Sequence, residues 1–105
     1  VSGALHLVQL LLPARDKTGQ DFPPDAFEQV SLELTERFGG VTAYSRAPAE
    51  GRWKQASDTE LDDILVVEVM DENIDRKWWA AYRKELERRF RQDVVIVRAQ
   101  TIELL

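Results

Sequence analysis

Two stretches with helical spacing, each set between apolar runs of strand character, constrain this chain more than any other feature of its sequence. The first run is Leu5 to Leu12, closed by Pro13. After a turn-forming Asp16-Lys17-Thr18-Gly19-Gln20 stretch, residues 24–38 form the first helical segment. There Phe27, Val30, Leu34 and Phe38 recur at intervals of three or four and line one face. Pro23 and Pro24 suit its first turn, and Asp25 with Glu28 has the capping-box spacing. Gly39-Gly40 stops it, because glycine takes the left-handed cap conformation without a Cβ clash. Val41 to Arg46 reads as a second strand. Pro48 to Gly51 bends it, Arg52-Trp53-Lys54 resumes it, and residues 55–60 turn the hairpin. Ile64 to Met70, dense in β-branched residues, is the third strand, and Asp71 to Asp75 is an acidic loop. Asp75 caps a second helix over 76–91, striped by Trp79, Tyr82, Leu86 and Phe90, and Val94 to Leu104 is the last strand.

The resulting order is β-α-β-β-α-β, for which the usual solution is the ferredoxin-like sandwich, an α+β fold. Right-handed crossovers then place the strands 4-1-3-2 in one four-stranded antiparallel-type sheet, with both helices on a single face. The 105 residues make one domain over 1–105, large enough to bury a core without staples. Hydrophobic content of 44% with 31% charged residues is that of a folded chain rather than a disordered one. No cysteine is present, which removes disulfides, thiol catalysis and Cys-based metal sites, and one histidine removes His-pair metal motifs. The longest apolar stretch, residues 5–12, is broken by His6 and Gln9 and is far short of the roughly 20 residues that span a bilayer. It is preceded by no basic residue and followed by no small-residue cleavage site, so neither a signal peptide nor membrane association is expected, and the expected compartment is the cytoplasm.

The segment Arg37-Phe38-Gly39-Gly40-Val41-Thr42-Ala43-Tyr44, followed by Gly51-Arg52-Trp53, together with the element order, resembles small uncharacterised bacterial proteins of the ferredoxin-like, dimeric α/β-barrel type. That resemblance implies dimerisation sheet to sheet. Some members are cofactor-independent monooxygenases, haem-linked enzymes or small-molecule isomerases, often with a histidine in the barrel. Here only His6 is available, near the start of a strand, so none of their catalytic sets carries over.

Residues 1–75 carry 6 basic and 15 acidic groups, whereas 76–105 carry 8 basic and 4 acidic. The basic groups sit on the second helix among Glu85 and Glu87, as on a solvated face. The net charge of −5 opposes phosphate binding over the whole surface. The same element order occurs in RNA-recognition modules, but those stack bases on aromatics of strands one and three, and these strands carry none. Nucleic acid is therefore not an expected partner. His6 as a general base needs an orienting partner and an open cavity; a packed strand residue is the plainer reading. The acidic loop 71–75 lacks the spaced oxygens, central glycine and terminal glutamate of a calcium loop, and helix capping explains it more simply. Gly39-Gly40 precedes a strand, so it presents no helix N-terminal amides to a phosphate, and no phosphate-binding or dinucleotide fingerprint occurs. No metal or cofactor is expected.

Strand alternation assigns the two sheet faces. Val8, Leu10, Leu12, Leu65, Val67, Val69, Val95, Val97 and Ala99 should meet the helices. The other set forms an open face that is still largely apolar, which is a liability for a monomer, so a homodimer through that face is expected. Its polar residues should cluster: Gln9, Glu68 and Arg98 lie near mid-strand, with Gln9 in the middle. A hairpin turning near Ser57 would bring Arg46 towards Glu68. In a binding reading Arg98 or Arg46 holds an anionic ligand, Glu68 serves as base, and Trp53 walls the pocket. In a structural reading the same residues fix the register of the dimer. Two function classes follow: a binding or assembly module without chemistry, favoured by the few ionisable groups at strand centres, or a small-molecule-binding or cofactor-independent enzyme of the barrel type.

Overall fold

The computed structural model describes residues 5–46 and 64–105. Six elements occur in the expected order: β1 (Leu5–Pro13), α1 (Pro24–Phe38), β2 (Thr42–Arg46), β3 (Ile64–Glu72), α2 (Arg76–Arg89) and β4 (Ile96–Ile102). They form one four-stranded sheet in the order β2-β3-β1-β4, all neighbours antiparallel. This is the ferredoxin-like arrangement. The expected resumption of β2 at Arg52-Trp53-Lys54 and the turn at 55–60 lie outside the described residues. Among the described residues no helix is long and apolar enough to cross a membrane.

The core lies between one sheet face and the two helices. Val8, Leu10 and Leu12 of β1 and Val67 and Val69 of β3 pack with Val30 and Leu34 of α1 and with Trp79 and Leu86 of α2. Phe90, just beyond α2, is fully buried, with Phe22 edge-on at 5.1 Å and Phe27 at 5.4 Å. The period-two pattern of β1 and β3 therefore meets the helical stripes where alternation places them. Trp78 flanks the stripe: it stacks on Tyr82 at 4.9 Å and lies under the Arg37 guanidinium, 4.2 Å from the ring centre.

Four local expectations need correction. The capping box at Asp25 and Glu28 does not form: α1 begins at Pro24 with Pro23 as N-cap, so Asp25 lies inside the first turn, where its charge still suits the helix dipole. α2 ends at Arg89 rather than 91, and Phe90 closes it with its N–H on the carbonyls of Leu86 and Arg88. Asp71 and Glu72 belong to β3, not to a loop, and the Asp71 carboxylate accepts the indole N–H of Trp79 at 2.9 Å. β4 starts at Ile96, because the Val95 N–H is taken by the Glu87 carboxylate at 3.0 Å instead of the ladder. Asp75 caps α2 as expected, accepting from the Trp78 N–H at 3.1 Å.

The C-cap of α1 is Gly39 at φ 89°, with its N–H on the Thr35 carbonyl. A Cβ there would meet nothing within 4 Å, so the cost of a side chain is purely the left-handed backbone. Gly39→Ala should therefore lower stability by about 1–2 kcal/mol, read from the urea unfolding midpoint. An unchanged midpoint would mean that the helix ends differently in solution.

The helices are also joined by charge. Arg89 of α2 meets Glu33 of α1 in a two-pronged contact, with both N–H···O distances 2.9 Å. The Tyr82 hydroxyl donates to the same carboxylate at 2.8 Å. Glu33 lies off the apolar stripe of its helix, and nothing within α1 distinguishes it from its acidic neighbours.

Candidate functional site

Register decides what stands in the middle of the open face. Gln9 pairs with Glu68 on one side and with Arg98 on the other. All three side chains leave the sheet away from the helices, since their neighbours Val8, Leu10, Val67, Val69 and Val97 pack on the helix side. The Gln9 amide bridges its neighbours: Nε2 donates to Glu68 Oε2 at 2.7 Å, and Oε1 accepts from Arg98 Nε at 2.9 Å. The amide is suited to this, with a donor end for the carboxylate and an acceptor end for the guanidinium.

A fourth residue completes the row. The Tyr44 hydroxyl of β2 donates to Glu68 Oε2 at 2.9 Å. Tyr44 is not among the candidate site residues read from the sequence, and its place follows from the β2–β3 register. Thr42 stands opposite Glu68 and Tyr44 opposite Val66, so Tyr44 is the same-face diagonal neighbour of Glu68. Arg46, expected near Glu68, pairs instead with Ile64, about 13 Å further along the strand. Trp53 lies outside the described residues.

The result is a row across all four strands, from Arg98 through Gln9 and Glu68 to Tyr44. Gln9 and Glu68 are half-buried, and Arg98 and Tyr44 are exposed at the two ends. Among the described residues Glu68 Oε1 accepts no hydrogen bond, which leaves one carboxylate oxygen for a ligand donor. Hollows of about 400 Å³ and 430 Å³ flank Leu7 on this face. The first reaches Glu68, Met70 and the Gly39-Gly40 turn, and the second reaches Gln9, Arg98 and Gln100. Around the row the face is largely apolar, with Met70 and Ile96 each 51% exposed. Among the described residues no group of three His, Asp or Glu stands close enough to hold a metal ion.

His6 is not part of this row. It faces the helix side, where it pairs with Asp71 and Thr101 on the flanking strands.

No protein-family model matches the chain, and no curated protein matches it either. Among solved structures, a phage SAM lyase in complex with S-methyl-5'-thioadenosine is similar over 96% of this chain and 84% of its own, with TM-score 0.59 and 16% sequence identity. At that identity the likeness is one of fold.

Proposed function

We propose that this domain binds a small polar molecule on its open sheet face, in an assembly of two copies. The observation that carries this reading is the hydrogen-bonded row Arg98–Gln9–Glu68–Tyr44 in the middle of a largely apolar face. Half-buried polar groups on such a face need partners, and apolar walls around a few convergent polar groups are what small-molecule sites are made of. Arg98 supplies a cation for an anionic or electron-rich group. Glu68 supplies an acceptor, and it is the group in the row suited to take a proton if the bound molecule reacts. The fold likeness suggests a first ligand: the similar phage SAM lyase was solved with S-methyl-5'-thioadenosine, a thioether nucleoside.

A second reading is an assembly module in which the row only fixes the register of two sheets. The exposed Met70 and Ile96 favour it, because apolar area of this kind is normally covered.

Both readings are separated by one set of measurements. Wild type should elute at twice the mass of one chain at micromolar concentration, and its melting temperature should rise with S-methyl-5'-thioadenosine or SAM. Glu68→Gln and Arg98→Ala should keep the dimer and lose the ligand shift. Loss of the dimer in both variants would instead support the assembly module. A stable wild-type monomer would overturn the two-copy arrangement, and a wild type that binds neither nucleoside would remove the ligand class.

A further inference from the structure

We propose that the cavity between α2 and the β1–β4 side of the sheet is a second ligand site, for a small organic anion bearing a carboxylate or phosphate. It lies on the helix-covered side; Arg98 is common to its lining and to the row, while Gln9, Glu68 and Tyr44 are not part of it, and the proposal does not depend on the row's function.

The cavity measures about 470 Å³, within the range of small-molecule pockets. Its helix wall is Arg76, Trp79, Ala80 and Arg83, whose spacing places them on one face of α2. Ala80 is too small to fill the space between helix and sheet, and the two arginines stand on either side of it. Val8 and Val97 give the cavity an apolar floor.

The polar groups favour an anion. Among the described residues Arg76 has neither a hydrogen bond nor an ion pair. Arg83 is held by Glu87 at 2.7 Å, a contact that uses one of its five N–H donors and steadies the rest. His6 also lines the cavity, and its Nδ1 is buried without a hydrogen-bond partner among the described residues. A buried ring nitrogen is costly to leave unpaired, and a bound polar molecule would satisfy it. The acidic group nearest in register to His6 is Asp71, and one of its oxygens already accepts from the Trp79 indole. Two cations and an unsatisfied imidazole therefore converge on a space with an apolar floor. This arrangement fits a charged head carried on a hydrophobic body, and guanidinium groups recognise carboxylate and phosphate heads well.

The test is an amide-resolved NMR titration of the full chain with phenyl phosphate, benzoate and inorganic phosphate. The expected result is saturable shifts confined to the amides of 76–83 and 97–101. The organic anions should bind about tenfold more tightly than inorganic phosphate, because only they use the apolar floor. Arg76→Glu removes a cation, and Ala80→Leu fills the cavity. Both positions are exposed, so both variants should melt like wild type and bind about tenfold more weakly or worse. The proposal is overturned if neither organic anion gives a saturable shift up to about 10 mM. It is equally overturned if binding survives unchanged in both variants. Shifts centred on Gln9, Tyr44 and Glu68 would also overturn it while supporting the open-face site. Absence of nucleoside binding at the open face leaves it standing.

Discussion

Leu86→Ala will lower the stability of the domain by about 2–5 kcal/mol, the range for truncating a fully buried leucine. Leu86 has no exposed surface, and it belongs to the cluster in which β1, β3 and both helices meet. Removing its three outer carbons costs their transfer from water and leaves a hole that strands on one side and a helix on the other cannot collapse to fill. Leu86→Met, which conserves volume, should cost less than about 1.5 kcal/mol. Leu32→Ala is the control: that side chain is 55% exposed, and its loss should stay within about 0.5 kcal/mol. All three are read from urea unfolding, with the slope checked for constancy. A near-zero loss for Leu86→Ala would mean that α2 turns a different face to the sheet.

Arg89→Ala should have the next largest effect, and that effect should depend on pH. Arg89 holds Glu33 across the helix pair and Glu85 along its own helix, with distances of 2.8–2.9 Å, and its side chain is only 25% exposed. The charged hydrogen bonds to Glu33, discounted for screening by nearby solvent, are worth about 1–2 kcal/mol. Burial by itself would raise the Glu33 carboxyl, but hydrogen bonds from Arg89, Gln29 and Tyr82 outweigh it and hold the group below its ordinary value near 4.5. Arg88, and then Arg89, pushes Glu85 down to about 2. Both carboxylates therefore bind protons less readily folded than unfolded. The stability they contribute is fully present above the ordinary glutamate range and is lost as pH falls through the folded values. The gap between wild type and Arg89→Ala should be widest near pH 7 and narrow progressively from about pH 4.5 towards pH 2. Tyr82 adds the opposite limb. Burial and the hydrogen bond to Glu33 raise its pKa above 10, so its contribution is present below pH 10 and fades at higher pH. A gap that does not change between pH 7 and pH 3 would show that the cross-helix contact does not form in solution.

The face of the sheet on which the residues of β1, β3 and β4 lie was legible in the sequence, and so was the meeting of Gln9, Glu68 and Arg98. A strand has a side-chain period of two, and the element order leaves few right-handed topologies, so Gln9 on the central strand had to stand between the other two. The helix stripes were legible for the same reason, since a period of three to four residues is written into the chain itself. Which residue faces Glu68 from β2 was not legible. The observed pairing differs from the expected one by four residues, an even offset that keeps the face and changes the neighbour: Thr42 takes the register place foreseen for Arg46, and the diagonal Tyr44 makes the contact with Glu68. Nor was the Glu33–Arg89 contact, which joins residues 56 apart in sequence. Periodicity and capping are properties of neighbours along the chain. Register between strands and contact between the solvent-side edges of two helices are set by where the packed core brings those elements to rest, and only the tertiary structure decides that.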